Sequence, residues 1–184
     1  MRAFLNLQSG RTTDAGAKAA LQAASQRIGV VGEMHAMLYR DGALGSLDLG
    51  AYLRELCRAL VASMVADPER IRLKAECESL QIDMDRAILI GIIVSELVTN
   101  SLKYAFPDGR PGQVLVVLER GQGEFARLTV TDTGCGLAHE ASEGFGLRIV
   151  RMLARQLSAE LSLSCPNGMR AELEFTLHRQ AAAA

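Results

Sequence analysis

The stretch Glu96-Leu97-Val98-Thr99-Asn100-Ser101-Leu102-Lys103-Tyr104 decides how the chain is read, because it sets three polar groups on an otherwise apolar helix. At about 100° per residue, Glu96, Asn100 and Lys103 fall within an arc of roughly 60° on one helix face. The run just before it, Ala87-Ile88-Leu89-Ile90-Gly91-Ile92-Ile93-Val94, is apolar all round and must be buried. A carboxylate, an amide and an ammonium at the end of such a helix therefore need a reason. Solvated groups at a frayed helix end are one. A cation and phosphate site is the other, with Asn100 offering its carbonyl oxygen to Mg²⁺, Lys103 neutralising phosphate charge and Glu96 taking or orienting a proton.

Composition narrows the field. The chain has 184 residues, of which 49% are hydrophobic, enough for a real core in one domain or two small ones. Its 20 Lys and Arg nearly balance 21 Asp and Glu, and no basic stripe interleaved with aromatics appears. Nucleic acid and anionic lipid are therefore not expected partners. No apolar run approaches the roughly 20 residues of a membrane span, and the start lacks a basic-then-apolar signal pattern, so a cytoplasmic location is expected. Cys57, Cys77, Cys135 and Cys165 lack metal-ligand spacing and read as reduced thiols.

Outward from the central helix, the patterning resolves into elements. From Asp14 to Arg40, the positions Ala17, Leu21, Ala24, Ile28, Val31, His35 and Leu38 recur at alternating steps of four and three, a heptad seam that calls for a helical partner. Residues 1–45 are thus read as a helical dimerisation segment. Ser46-Leu47-Asp48 caps a helix over about 49–64, and Ile71 to Glu78 alternates as a half-buried strand. Asp83 caps the central helix, which should run to Phe106, the residue before Pro107. Two strands, 113–119 and 124–132, make a hairpin across Gly121-Gln122-Gly123, a helix follows over about 146–156, and strands 160–164 and 170–177 turn at Pro166-Asn167-Gly168. The order predicts an α+β fold, helices on one face of a mixed sheet, over 46–178, with 179–184 as a tail.

Two glycine motifs follow the central helix. Asp132-Thr133-Gly134-Cys135-Gly136-Leu137 leaves the second hairpin strand directly, so its glycines let backbone approach a flat ligand while Asp132 accepts from an exocyclic amine. Gly144-Phe145-Gly146-Leu147 opens a helix, whose N-terminal N–H groups and dipole suit phosphate oxygens. Each alone is equally a plain turn.

In this order, the E-x-x-x-N-x-x-K helix, DxGxG and GxGL resemble the ATP-binding domain of sensor histidine kinases and of the GHKL superfamily, a two-layer α/β sandwich of Bergerat type. The resemblance implies an N box of Glu96, Asn100, Lys103 and Tyr104, a G1 box of Asp132, Gly134, Gly136 and Leu137, and a G2 box of Gly144, Gly146 and Leu147. It implies ATP with Mg²⁺ held by Asn100, adenine recognised by Asp132, and phosphates covered by the G2 loop. Leu5-Asn6-Leu7-Gln8-Ser9, His35-Ala36-Met37-Leu38-Tyr39-Arg40, Leu47-Asp48-Leu49 and a six-residue lid, Ala138 to Glu143, resemble the HisKA_2 and HWE subgroup.

That subgroup implies a homodimer through a helical bundle, transfer of the ATP γ-phosphoryl to a histidine, and a response-regulator receiver domain as partner. The family's phosphoacceptor lies upstream of the Leu-Gln-Ser segment, so this stretch is expected to bind nucleotide without autophosphorylating. His35 sits on the seam and reads as structural, His139 lies in the lid, and Met169 stands where relatives often carry a Thr that helps bind adenine. A phosphotransfer scaffold without productive ATP use and an anti-sigma-type Ser/Thr kinase are the competing readings.

Overall fold

The computed structural model describes residues 46–65, 67–136, 144–165 and 167–178. The heptad segment with His35, the lid with Leu137 and His139, and the tail lie outside these residues. All described residues belong to one compact unit, Gly45–Ala184. Its elements run β1 (Ser46–Asp48), α1 (Leu49–Met64), β2 (Ile71–Cys77), β3 (Gln81–Asp83), α2 (Met84–Asn100), β4 (Gly112–Arg120), β5 (Phe125–Asp132), α3 (Phe145–Gln156), β6 (Glu160–Ser164) and β7 (Arg170–Thr176). The five longer strands form a sheet in the order β2-β4-β5-β7-β6, with β2 and β4 parallel and the rest antiparallel. This is the expected mixed sheet.

Period two decides which side chains meet the helices. Register pairs Val116 with Val130, Leu118 with Leu128, Leu128 with Leu173 and Ala126 with Phe175, and all of these are buried. The opposite face carries Lys74–Glu76, Arg127–Glu174 and Arg170–Glu172 ion pairs, which are exposed. Being screened by water, such pairs contribute little stability. Burial of the apolar face carries the fold, at about 1.5–3 kcal/mol per large side chain.

Helix α2 lies at the centre. Ala87, Ile90, Ile93, Val94 and Val98 are fully buried, Leu97 nearly so, and both α1 and α3 pack against it. Met84–Ala105, α2 with the turn that follows it, is long and apolar enough by length and composition to cross a bilayer. Packing between sheet and neighbouring helices accounts for that hydropathy.

Two features were not legible. Ser46–Asp48, expected only as a cap, also pairs antiparallel with Gln81–Asp83, tying the start of α1 to the start of α2. Asp48 does cap α1: its Oδ1 accepts from Ala51 N–H at 2.9 Å and its Oδ2 from Ser79 Oγ at 2.7 Å. Strands of three residues are too short to display a period. Arg86, read only as part of a helix, donates to the carbonyls of Leu157 (3.1 Å) and Thr176 (2.9 Å), fastening α2 to the end of α3 and the end of β7.

Candidate active site

The regular helix expected to reach Phe106 stops at Asn100, and the winding widens to a π turn over Ser101–Ala105. Such turns are uncommon and occur often at functional sites. The turn ends on contacts made outside it. The Ala105 carbonyl accepts from Cys135 N–H at 2.9 Å, in the loop after β5, and Pro107 has no N–H to continue the helix. The uniform geometry behind the 60° stripe therefore ends between Asn100 and Lys103.

The consequences differ along the stripe. Glu96 and Asn100 are half-buried and converge on the start of α3: a Cβ built on Gly146 would lie 2.8 Å from Glu96 Oε2 and 3.4 Å from Asn100 Nδ2. Lys103 and Tyr104 lie past the change of winding and are exposed, Tyr104 by 70%. The structure thus brings Glu96, Asn100 and Gly146 together, and sets Lys103 and Tyr104 on the rim.

Ser101, next in sequence to Asn100, turns the other way. Counting back from Asp132 in twos gives Val130, Leu128 and Ala126, the buried face of β5, so the strand's own period aims Asp132 inward. It is 6% exposed. Its Oδ1 accepts from Gly134 N–H at 2.9 Å and Met169 N–H at 3.1 Å, and its Oδ2 from the Ser101 hydroxyl at 2.7 Å. Two adjacent residues of one turn, Asn100 and Ser101, thereby reach two separate walls.

The glycines are sterically required. A Cβ on Gly134 would collide with Ala105, and one on Gly168, at φ +107°, with the Asp132 carbonyl. Gly136 has φ +76° and packs beside Cys165 and Gly168. Gly144 is the exposed cap of α3, with its carbonyl accepting from Leu147 and Arg148 N–H, and Leu147 is half-buried. Cys135 has an exposed thiol whose Sγ lies 3.5 Å from the Tyr104 carbonyl.

Sequence reading missed Ser101, Gly168 and the role of Met169. Met169 contributes a main-chain N–H, which any residue but proline supplies, so the side chain at that position gives no signal. Ser101 was within the quoted stretch, but its partner is 31 positions away and reached only through the fold.

Comparison with known proteins identifies the family. Residues 85–181 match the family of histidine kinase-, DNA gyrase B- and HSP90-like ATPases, and residues 1–64 match a histidine kinase family, HisKA_2. The chain is 34% identical over 122 residues to blue-light-activated histidine kinase 2 of Erythrobacter litoralis, covering 64% of this chain and 35% of the relative. It is 33% identical over 176 residues to the sensor histidine kinase PdtaS of Mycobacterium tuberculosis, covering 91% and 33%. It therefore spans about a third of the length of these relatives. Among solved structures, the histidine kinase domain of the Erythrobacter litoralis EL346 blue-light-activated kinase superposes with a TM-score of 0.76 at 25% identity, over 95% of this chain and 83% of that one. Fold and both matches converge: the chain belongs to the histidine kinases of the HisKA_2 type, with a GHKL ATPase domain at its C-terminal side.

Proposed function

We propose that this chain is the ATP-binding and catalytic part of a sensor histidine kinase, which moves the γ-phosphoryl group of ATP to a histidine and from there to an aspartate of a response regulator. The observation that carries the reading is the pairing of two walls: Glu96 and Asn100 facing a glycine at a helix start, and a buried Asp132 held by three donors. A scaffold that only docks a regulator has no need of either.

The residues fit ATP with Mg²⁺. Gly146 leaves beside Asn100 a space that a Cβ would fill. Asn100 offers the metal an amide oxygen, and the chemistry supplied by bound Mg²⁺ is neutralisation of phosphate charge. Glu96 orients or accepts the proton, and Lys103 adds a positive charge at the rim. Asp132 accepts from the adenine amine, with Gly134 and Gly136 bringing backbone against the base and Tyr104 beside them. Gly144, Gly146 and Leu147 present the first turn of α3 to phosphate oxygens. Phosphoryl transfer depends chiefly on positioning and charge stabilisation, and a set of this kind supplies both without a covalent nucleophile. The heptad segment serves as the dimerisation helix in the bundle, and His35 on its seam is not the acceptor.

Calorimetric titration with ADP, with and without Mg²⁺, tests the reading: affinity is expected only in the presence of the metal or much strengthened by it. Affinity indifferent to Mg²⁺ overturns the assignment of Asn100. Incubation with labelled ATP is expected to leave no stable label, and label on His35 overturns its structural assignment.

A further inference from the structure

The base end of the site has a polarity that the fold imposes. A carboxylate oxygen has room for about two hydrogen bonds. Oδ1 of Asp132 is filled by the N–H groups of Gly134 and Met169, which can only donate. Oδ2 takes the Ser101 hydroxyl at 2.7 Å and keeps one acceptor direction. Ser101 is 2% exposed and Asp132 6%, so bulk water does not compete for these positions.

We propose that Ser101 and the backbone amides of Gly134 and Met169 act as a clamp that makes Asp132 present an acceptor, and only an acceptor, to the base, so that Ser101 is a positioning residue for discrimination between 6-amino and 6-oxo purines. The inference rests on the assignment of Asp132 as the base contact. Removing the hydroxyl frees the carboxylate to rotate and leaves Oδ2 open to a stray donor. Its effect falls on the amine-bearing base, which uses that acceptor, more than on the oxo base, which does not.

The clamp also settles how an amide would sit at this position, which sequence alone leaves open. In Asp132→Asn the side-chain oxygen must take the Oδ1 place, because two N–H groups point there. The NH₂ group then takes the Oδ2 place. The Ser101 hydroxyl, able to accept as well as donate, turns to accept from it, and the remaining N–H faces the pocket. A donor there favours a 6-oxo base.

The test is calorimetric titration of the full chain and its variants with ADP and IDP, which differ at the 6-position of the purine and in the proton that the 6-oxo base carries on the adjacent N1. Wild type is expected to prefer ADP, Asp132→Ala to lose the preference, and Asp132→Asn to reverse it. Ser101→Ala is expected to lower the ADP:IDP affinity ratio about fivefold. Ser101→Cys, a weaker donor of similar size, should lie between. If Asp132→Ala abolishes the preference while Ser101→Ala weakens both nucleotides equally or leaves the ratio unchanged, Ser101 has no part in specificity and the base assignment stands. A wild-type ratio in Asp132→Ala removes the base assignment and the clamp with it. Persisting ADP preference in Asp132→Asn overturns the clamp alone.

Discussion

The two walls of the site are built on opposite plans. At the Asp132 wall three donors from the protein converge on one carboxylate, and Gly168 lies so close that a Cβ would strike the Asp132 carbonyl. At the Glu96 and Asn100 wall the side chains are half-buried, and the tightest neighbour of Gly146 is the end of a flexible carboxylate arm. Steric pressure on backbone has nowhere to relax, whereas pressure on a side-chain tip does. The first wall is therefore structural as well as functional, and the second can change with little cost to folding.

A pair of glycine substitutions gives the largest contrast. Gly168→Ala forces a Cβ onto backbone at a φ unfavourable to L residues, at an expected cost of about 3 kcal/mol or more and a fall in Tm on the order of 10 °C. Gly146→Ala meets Glu96 Oε2 at 2.8 Å, which shifts aside, so Tm should stay within about 2 °C of wild type while ADP affinity drops about tenfold. Equal melting shifts for the two variants would erase the distinction between the walls.

Polar truncations sharpen it at intermediate size. Asp132→Ala leaves two backbone N–H groups and a buried hydroxyl without their acceptor, a destabilisation of about 2–4 kcal/mol, together with a tenfold to hundredfold loss of ADP affinity. Asn100→Ala removes a half-buried amide and no core volume. Its stability should lie within about 0.5 kcal/mol of wild type, with much of the Mg²⁺ dependence of ADP binding gone. Urea melts and titrations on the same samples measure both. Loss of stability in Asn100→Ala as large as in Asp132→Ala would place both walls in the structural class.

A contrast set by pH lies away from both walls, in α1 and at the end of β2. Burial pushes the Cys57 thiol up to about 12, and burial likewise pushes Cys77 up to about 11. In the unfolded chain these thiols ionise near pH 8.5, whereas the folded chain keeps their protons, so their contribution to stability is complete below that pH and is lost as pH rises towards the folded values. Tm should decline gradually from about pH 9 upward, less so in Cys57→Ala after allowing for that variant's lower starting point. A pH-independent Tm to about pH 10.5 would contradict burial of the two thiols. At pH 8 a thiol reagent should reach the exposed Cys135 and Cys165 first.

Much of this was open to reading from the residues. The all-apolar run before Glu96 marked α2 as the core, the apolar run Val114–Leu118 marked β4, and the alternation in Ala126–Val130 marked β5 and its inner face, because side-chain period follows directly from backbone geometry. The same alternation, carried two residues further, turns Asp132 inward. The three boxes stood out because each needs particular residue types at fixed spacing.

What the sequence determined, then, was the local and periodic part: helix, strand, cap, and which residues carry polar chemistry beside glycine. Tertiary structure alone decided how these meet. The π turn at Ser101–Ala105 ends where the Ala105 carbonyl bonds to the loop after β5, and Ser101 finds Asp132 across 31 positions of chain. Lys103 leaves the stripe of Glu96 and Asn100 within that turn. A helical period presumes that each N–H pairs four residues back, and the sequence does not mark where that pairing gives way to the wider turn.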